Sequence, residues 1–268
     1  MPKKNTYRIL FIGDVCGRPG RKILEEQLAE LQWQEEIDFT IVNGENSSGG
    51  RGMNSQTLRF FRELGVDAVT MGNHTWDNKD IYNYIDRETC IARPLNYSRG
   101  LPGTGYVILP MEDLRVAVVS LICRTYMNNV VADCPFQAIA DCLPRLREAA
   151  DVIVVDAHGE ATSEKMALGW FLDGKVSAVI GTHTHVQTND ARILPGGTAY
   201  LTDAGMTGPR DSILGMKVEP VVERFRTGRP CRFQVAEGDL QLNGAVLTVD
   251  QRGVAKDIRV IQRELHHF

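Results

Sequence analysis

The stretch Arg8-Ile9-Leu10-Phe11-Ile12-Gly13-Asp14-Val15 is an apolar, β-branched run that ends at a glycine and an acid, and Arg21 to Gln32 follow with apolar residues at Ile23, Leu24, Leu28 and Leu31. The first predicts a strand over residues 8–15 and the second an amphipathic helix, joined by a short loop. The unit then repeats. Phe39 to Val42 reads as a strand and Ser55 to Leu64 as a helix, and Ala68 to Met71 and Asp77 to Ile85 repeat the pair. Strands alternating with helices predict a βαβ-type parallel sheet in this half of the chain.

Arg115 to Ile122 reads as another strand, and Phe136 to Glu148 as a helix that Pro144 must kink or split. Asp151 to Asp156 is then a strand, Ser163 to Leu172 a helix and Ala178 to Gly181 a strand. Past residue 190 the pattern changes to short runs, Thr198 to Thr202, Leu240 to Val249 and Val254 to Gln262, which read as antiparallel strands. No repeat, low-complexity tract or long linker marks a boundary, so one α/β domain with mixed sheets is expected over residues 1–268.

Of the 268 residues, 30 are Lys or Arg and 34 Asp or Glu, a formal net charge of −4. That balance argues against a protein that grips a DNA duplex by a basic field. The start Met1-Pro2-Lys3-Lys4 is basic, but Asp14 interrupts the apolar run behind it, so no export signal is read. No run approaches the roughly 20 apolar residues of a membrane span. A cytoplasmic protein is expected. Cys16, Cys90, Cys123, Cys134, Cys142 and Cys231 are scattered, without a Cys-x-x-Cys pair, and are expected as reduced, mostly buried thiols.

Five predicted strands end in polar clusters: Gly13-Asp14, Asn43-Gly44-Glu45-Asn46, Gly72-Asn73-His74, Asp156-Ala157-His158-Gly159-Glu160 and Gly181-Thr182-His183-Thr184-His185. The carboxyl ends of parallel strands share one edge, so these clusters should converge there. Asp, Glu, Asn and His form a mixed oxygen and imidazole set that suits Mn, Fe, Zn or Co. The neighbouring glycines allow the sharp turns that bring such ligands to within about 2.0–2.2 Å of an ion. Asp14, Glu45, Asn46, Asn73, His158, His183 and His185 are too many ligands for one tetrahedral ion and fit two ions sharing a carboxylate.

Each residue alone has an ordinary explanation. Asp14 could cap the following helix, Asn46 and Asn73 are common in turns, and His158 could be a hydrogen-bonded core histidine. His183-x-His185 places two rings on one face of a strand, as single-metal amidohydrolases also do. It is the joint occurrence at successive strand ends that points to a site. Elsewhere the residues are less telling: Arg18, Arg93 and Arg124 could reach a substrate phosphate or base but read first as surface salt-bridge formers, and Trp76 reads equally as a base-stacking ring or as a core or rim aromatic. Arg18-Pro19-Gly20-Arg21 lacks the form of a P-loop, and His266 and His267 sit in a charged tail where solvation is expected.

This order of motifs resembles the calcineurin-like metallophosphoesterases, whose pattern runs Asp-x-His, Gly-Asp, Gly-Asn-His-Asp/Glu, His, then Gly-His-x-His. Two positions depart from it: Cys16 stands where a histidine ligand is usual, and Glu45 replaces the bridging aspartate. Both departures, with Asn46 beside the glutamate, are similar to a narrower branch, the YmdB-like bacterial phosphodiesterases. So are Arg93-Pro94-Leu95-Asn96-Tyr97, the segment His158 to Lys165, and the segment Thr202 to Pro209.

The resemblance implies a four-layer α/β/β/α sandwich with mixed sheets. It implies that Asp14, Glu45, Asn46 and His185 hold one ion and Glu45, Asn73, His158 and His183 the other, with iron or manganese preferred and zinc an alternative. Cys16 then reverts to a small buried residue. His74 follows a presumed ligand directly, so its side chain should face substrate, and the resemblance makes it a proton donor to the leaving oxygen. The implied activity is hydrolysis of small phosphodiesters by hydroxide held between two ions. The substrates implied are 2′,3′-cyclic nucleotides first, then 3′,5′-cyclic nucleotides or short RNA ends. A homo-oligomer is implied as well. The alternative is a regulatory partner of RNA-processing proteins in which the metal site is mainly structural.

Overall fold

The computed structural model describes residues 4–128 and 130–266; Met1 to Lys3 and His267 lie outside them. Its strands are β1 (Thr6–Ile12), β2 (Asp14–Val15), β3 (Phe39–Asn43), β4 (Ala68–Thr70), β5 (Ile91–Ala92), β6 (Tyr106–Met111), β7 (Leu114–Ile122), β8 (Val152–His158), β9 (Ala178–Thr182), β10 (Arg192–Ile193), β11 (Ala199–Leu201), β12 (Met206–Pro209), β13 (Leu240–Asp250) and β14 (Ala255–Leu265). The helices are α1 (Gly17–Gln34), α2 (Ser55–Glu63), α3 (Pro135–Ala149), α4 (Thr162–Leu172) and α5 (Val218–Thr227).

An eight-stranded sheet runs β2-β12-β13-β1-β3-β4-β5, with β14 on the far edge of β13, and a six-stranded sheet runs β10-β11-β9-β8-β7-β6. Both are mixed. β1, β3, β4 and β5 are mutually parallel, whereas β1 meets β13 antiparallel; β7, β8 and β9 are parallel, whereas β6 meets β7 antiparallel. Alternation along the strands decides which face each residue joins. Ile9 and Phe11 of β1 pack with Val116, Val118, Val152 and Val154 of the other sheet, forming a core between the two. Leu10 and Ile12 turn outward onto Ile23, Leu24 and Leu28 of α1, and Ala117 and Val119 turn outward onto α3 and α4. The result is the four-layer α/β/β/α sandwich.

The structure corrects several expectations. The run from Arg8 to Val15 is two strands, because the chain leaves β13 at Gly13 and pairs Asp14 and Val15 with β12. A Cβ on Gly13 would lie 1.9 Å from the Gly205 carbonyl oxygen, so this close crossing needs glycine. Residues 77–85 form no α-helix but two 3₁₀ turns, Lys79–Asn83 and Ile85–Arg87. There the Asn78 side chain caps the first turn by accepting from Asp80 N, and the Asp80 carboxylate accepts from Ser55 N at the start of α2. α3 runs through Pro144 unbroken: the ring sits on the exposed face, where water can serve the carbonyl it frees. β13 and β14 are antiparallel as expected, but β11 runs parallel to β9.

Candidate metal centre

Both sheets deliver their loops to one edge. Asp14 lies on β2, Glu45 and Asn46 follow β3, Asn73 and His74 follow β4, His158 ends β8, and His183 and His185 follow β9. β7 and β8 pair in register to Ile122 and His158, and β8 and β9 to His158 and Thr182, which sets the height of the histidines.

Glu45, His158 and His183 offer ligand atoms that all lie within 4.8 Å of one another. His158 Nε2 is the meeting point. It lies 2.8 Å from Asn73 Oδ1, 3.1 Å from Glu45 Oε1 and 3.1 Å from His183 Nδ1. A second group adjoins: Asn46 Nδ2 is 3.0 Å from His185 Nε2, and Asp14 Oδ1 is 3.9 Å from the same nitrogen. Glu45 touches both groups, since Asn46 Nδ2 reaches its Oε1 at 3.4 Å. Asp14 Oδ2 also accepts from the backbone N–H of His183 at 3.1 Å, so Asp14 secures the histidine loop and does not cap α1, whose cap position is Cys16.

Asp14, Glu45 and His158 are fully buried and Asn46 nearly so. Burial pushes the Asp14 carboxyl well above its ordinary value, and the neighbouring Glu45 and Asp203 push the same way. Burial also opposes charge on Glu45, but His158 and the His74 N–H outweigh it and hold that carboxyl below the usual range. In return Glu45, with Asp14 and Asp156, overcomes burial at His158 and raises its ring to about 9. Burial and the charge on His158 press His183 down to about 3, and burial lowers His185.

These donors fit a cation. Asp14 Oδ1 is buried with no hydrogen-bond partner, which is costly for a carboxylate oxygen unless a positive charge faces it. His185 Nδ1 faces the Leu214 carbonyl at 3.2 Å; donating there, it leaves Nε2 as a lone pair on the site. His183 and His185 hold left-handed backbone angles, φ 94° and 65°, which are rare for histidine and aim both rings inward. Gly72 makes room: a Cβ there would stand 2.3 Å from His158 Nε2 and 2.4 Å from Glu45 Oε2.

His74 lies beside this set. Its backbone N–H reaches Glu45 Oε2 at 3.0 Å, and its partly exposed ring places Nδ1 2.8 Å from Asp77 Oδ2. Cys16 is buried, its thiol pushed up to about 12 by burial and Asp14, and it packs where a Cβ on Gly215 would meet its sulfur at 2.6 Å. Arg93 corrects the sequence reading: it is buried and donates to the carbonyls of Pro94, Leu101 and Pro102, fixing a loop rather than forming a surface ion pair. Trp76 stacks on Tyr82 with centroids 5.2 Å apart. The sequence reading missed the buried pair Lys165–Asp203, at 2.7 Å, although both residues stand inside the segments that carried the family resemblance.

The fold and this edge together define a hydrolytic phosphoesterase of the metallophosphoesterase class. The family described as YmdB-like protein matches residues 10–261, and the chain belongs to it. A Bacillus subtilis (strain 168) relative named 2′,3′-cyclic-nucleotide 2′-phosphodiesterase is 45% identical over 263 residues, which is 97% of this chain and 99% of the relative. The crystal structure of a hypothetical protein from Thermus thermophilus superposes with a TM-score of 0.90 at 43% identity, covering 96% of this chain and 99% of that one. That of a novel phosphatase from Mycoplasma pneumoniae gives 0.92 at 33% identity, covering 98% and 95%.

Proposed function

We propose that this chain, as one domain, is a dinuclear metal-dependent phosphodiesterase that opens 2′,3′-cyclic nucleotides, with 3′,5′-cyclic nucleotides as second candidates. The observation that carries the reading is the convergence of Glu45, His158 and His183 within 4.8 Å, with Asp14 Oδ1 buried and unpartnered nearby. The activity of the 45% identical relative supports the substrate class. Asp14, Glu45, Asn46 and His185 would hold one ion and Glu45, Asn73, His158 and His183 the other, iron or manganese by preference.

Bound ions of this kind neutralise phosphoryl oxygens and make water a better nucleophile near neutral pH. The chain's own part is positioning and proton delivery. Asp77 engages His74 Nδ1, which leaves Nε2 as the ring nitrogen free for substrate. With both ring nitrogens protonated, His74 donates its Nε2 proton to the ribose oxygen as that oxygen's bond to phosphorus breaks, while water supplies the new oxygen on phosphorus and its released proton restores the ring. No helix among the described residues is long and apolar enough to cross a membrane, which is compatible with the cytoplasmic location proposed for this enzyme.

The test is metal content by mass spectrometry together with hydrolysis of 2′,3′-cyclic AMP and of a bis-aryl phosphate. About two ions per chain and turnover of both substrates are expected; metal-replete protein inert toward both would sink the assignment.

A further inference from the structure

Beneath the cluster lies a fully buried carboxylate that belongs to none of the proposed ligands. Asp156, two residues before His158 on β8, has no solvent exposure. It is surrounded by donors: Thr182 Oγ1 at 2.6 Å on Oδ1, and Thr70 Oγ1 at 2.5 Å and Asn43 Nδ2 at 3.0 Å on Oδ2. Asn43 and Thr70 stand on β3 and β4 of one sheet, Asp156 and Thr182 on β8 and β9 of the other. The carboxylate therefore ties the two sheets together beneath the edge where their loops meet.

With Asp156 ionised, the donor and acceptor roles in this cluster follow from its geometry. Thr182 has one hydroxyl proton, and it goes to Asp156. The same oxygen lies 2.8 Å from His158 Nδ1, so the imidazole must donate there, and Nδ1 carries a proton. Nε2 is then the ring's lone-pair nitrogen whenever the ring is neutral, and it is the atom facing Asn73, Glu45 and His183. On the other side, Asn43 uses its amide oxygen to accept from Glu45 N at 3.2 Å, which turns its NH₂ to Asp156. A chain of hydrogen bonds thus runs from the Glu45 backbone through Asn43, Asp156 and Thr182 to the His158 ring. Its two ends meet again where Glu45 Oε1 and His158 Nε2 stand 3.1 Å apart.

We propose that Asp156 is a positioning residue for the metal centre, fixing the His158 tautomer through Thr182 and the Glu45 segment through Asn43. It deepens the reading of His158 and Glu45 as ligands and rests on it. Partners that orient a ligating histidine typically contribute 10–100-fold to metal affinity or activity, by order of magnitude.

The test compares wild type, Thr182→Val and Thr182→Ser for manganese and zinc affinity by chelator competition, alongside circular dichroism. Thr182→Val keeps the side-chain shape but removes the hydroxyl, and is expected to weaken binding by about 10–100-fold. Thr182→Ser restores the hydroxyl and should return affinity to near the wild-type value. Valine binding as tightly as wild type overturns the proposal, and so does serine failing to rescue. If Thr182→Val does not fold, the decision passes to zinc-loaded wild type labelled with ¹⁵N-histidine. There His158 must show a protonated Nδ1 and a metal-bound Nε2, and the opposite tautomer overturns the proposal. Wild type that binds neither ion would instead refute the ligand reading itself, and this inference with it.

Discussion

Asp14 Oδ1 and His185 Nε2 face each other 3.9 Å apart across the cluster, and the carboxylate oxygen has no hydrogen-bond partner although it is fully buried. A cation placed against Asp14 relieves the burial that raises its carboxyl. Metal should therefore stabilise the fold as well as enable turnover. Ion at a hundred times its dissociation constant adds about 2.7 kcal/mol. Chelation should lower the melting temperature by several degrees and manganese should restore it, as read by scanning calorimetry. Asp14→Asn, which removes the charge but keeps the shape, should shrink that metal-dependent shift. An unchanged melting temperature on chelation would contradict the reading.

His74 should separate chemistry from metal binding. Its ring contacts Asp77 and lies outside the Glu45–His158–His183 cluster. His74→Ala is expected to keep the wild-type metal content and lose roughly 10²–10⁴-fold in kcat, the usual worth of a proton donor. Full activity, or loss of the ions, would each remove His74 from the role of donor.

Gly72 offers a purely steric test. An alanine Cβ would stand 2.3 Å from His158 Nε2 and 2.4 Å from Glu45 Oε2, and neither side chain can retreat from its buried partners. Gly72→Ala should fold with weakened metal binding and little activity. Wild-type turnover in a folded Gly72→Ala would show that the cluster is more yielding than its packing indicates.

The candidate clusters were legible because each stands at a strand end and contains a glycine, where alternation stops and polar residues begin. What the sequence could not display is how the loops bend: His183 and His185 hold left-handed backbone angles in a loop whose N–H groups at His183 and Thr184 donate to Asp14 and Asp203, on other elements of the chain. β6 was invisible because Pro110 breaks its pattern, yet it is an edge strand, where a missing N–H costs nothing. α5 was passed over in the sequence, and in the structure it buries Val221 while exposing Val218, Val222 and Phe225. Yet Val218, Val221, Val222 and Phe225 stand at i, i+3, i+4 and i+7, a helical stripe that the sequence does carry.

Lys165 should matter through the histidine loop. Its ammonium is buried against Asp203 Oδ2, and that same oxygen accepts from Thr184 Oγ1 at 2.7 Å and Thr184 N at 3.2 Å, between the two site histidines. Lys165→Met leaves Asp203 buried and unpaired, a cost of about 3–5 kcal/mol. Lys165→Met with Asp203→Asn removes both charges and should recover much of that stability in urea denaturation. If the double variant is no better than the single one, the pair is not coupled as drawn.

Two aspartates outside the site should respond to pH with opposite signs. Burial raises the Asp67 carboxyl, although Thr40 N donates to it at 2.7 Å. Its charged form therefore costs stability, and the cost grows as pH rises from the unfolded value near 3.9, about that of a free aspartate, through the raised folded value. Asp190 is the reverse. Burial opposes its ionisation, but Thr188 Oγ1 at 2.6 Å, Thr202 Oγ1 at 2.5 Å and Thr202 N at 3.2 Å prevail and lower it. Its contribution is present above the unfolded value and lost as pH falls through the folded one. At pH 7, Asp67→Asn should leave stability equal or raised, since an amide oxygen can still accept from Thr40 N. Asp190→Asn should lower it by about 1 kcal/mol for a lost acceptor, or roughly 2–4 °C in a chain of this size. At pH 4 both differences should narrow. Melting curves at the two pH values decide it: shifts of the same sign at pH 7, or gaps that widen toward pH 4, would show that burial and hydrogen bonding do not balance at these positions as the structure indicates.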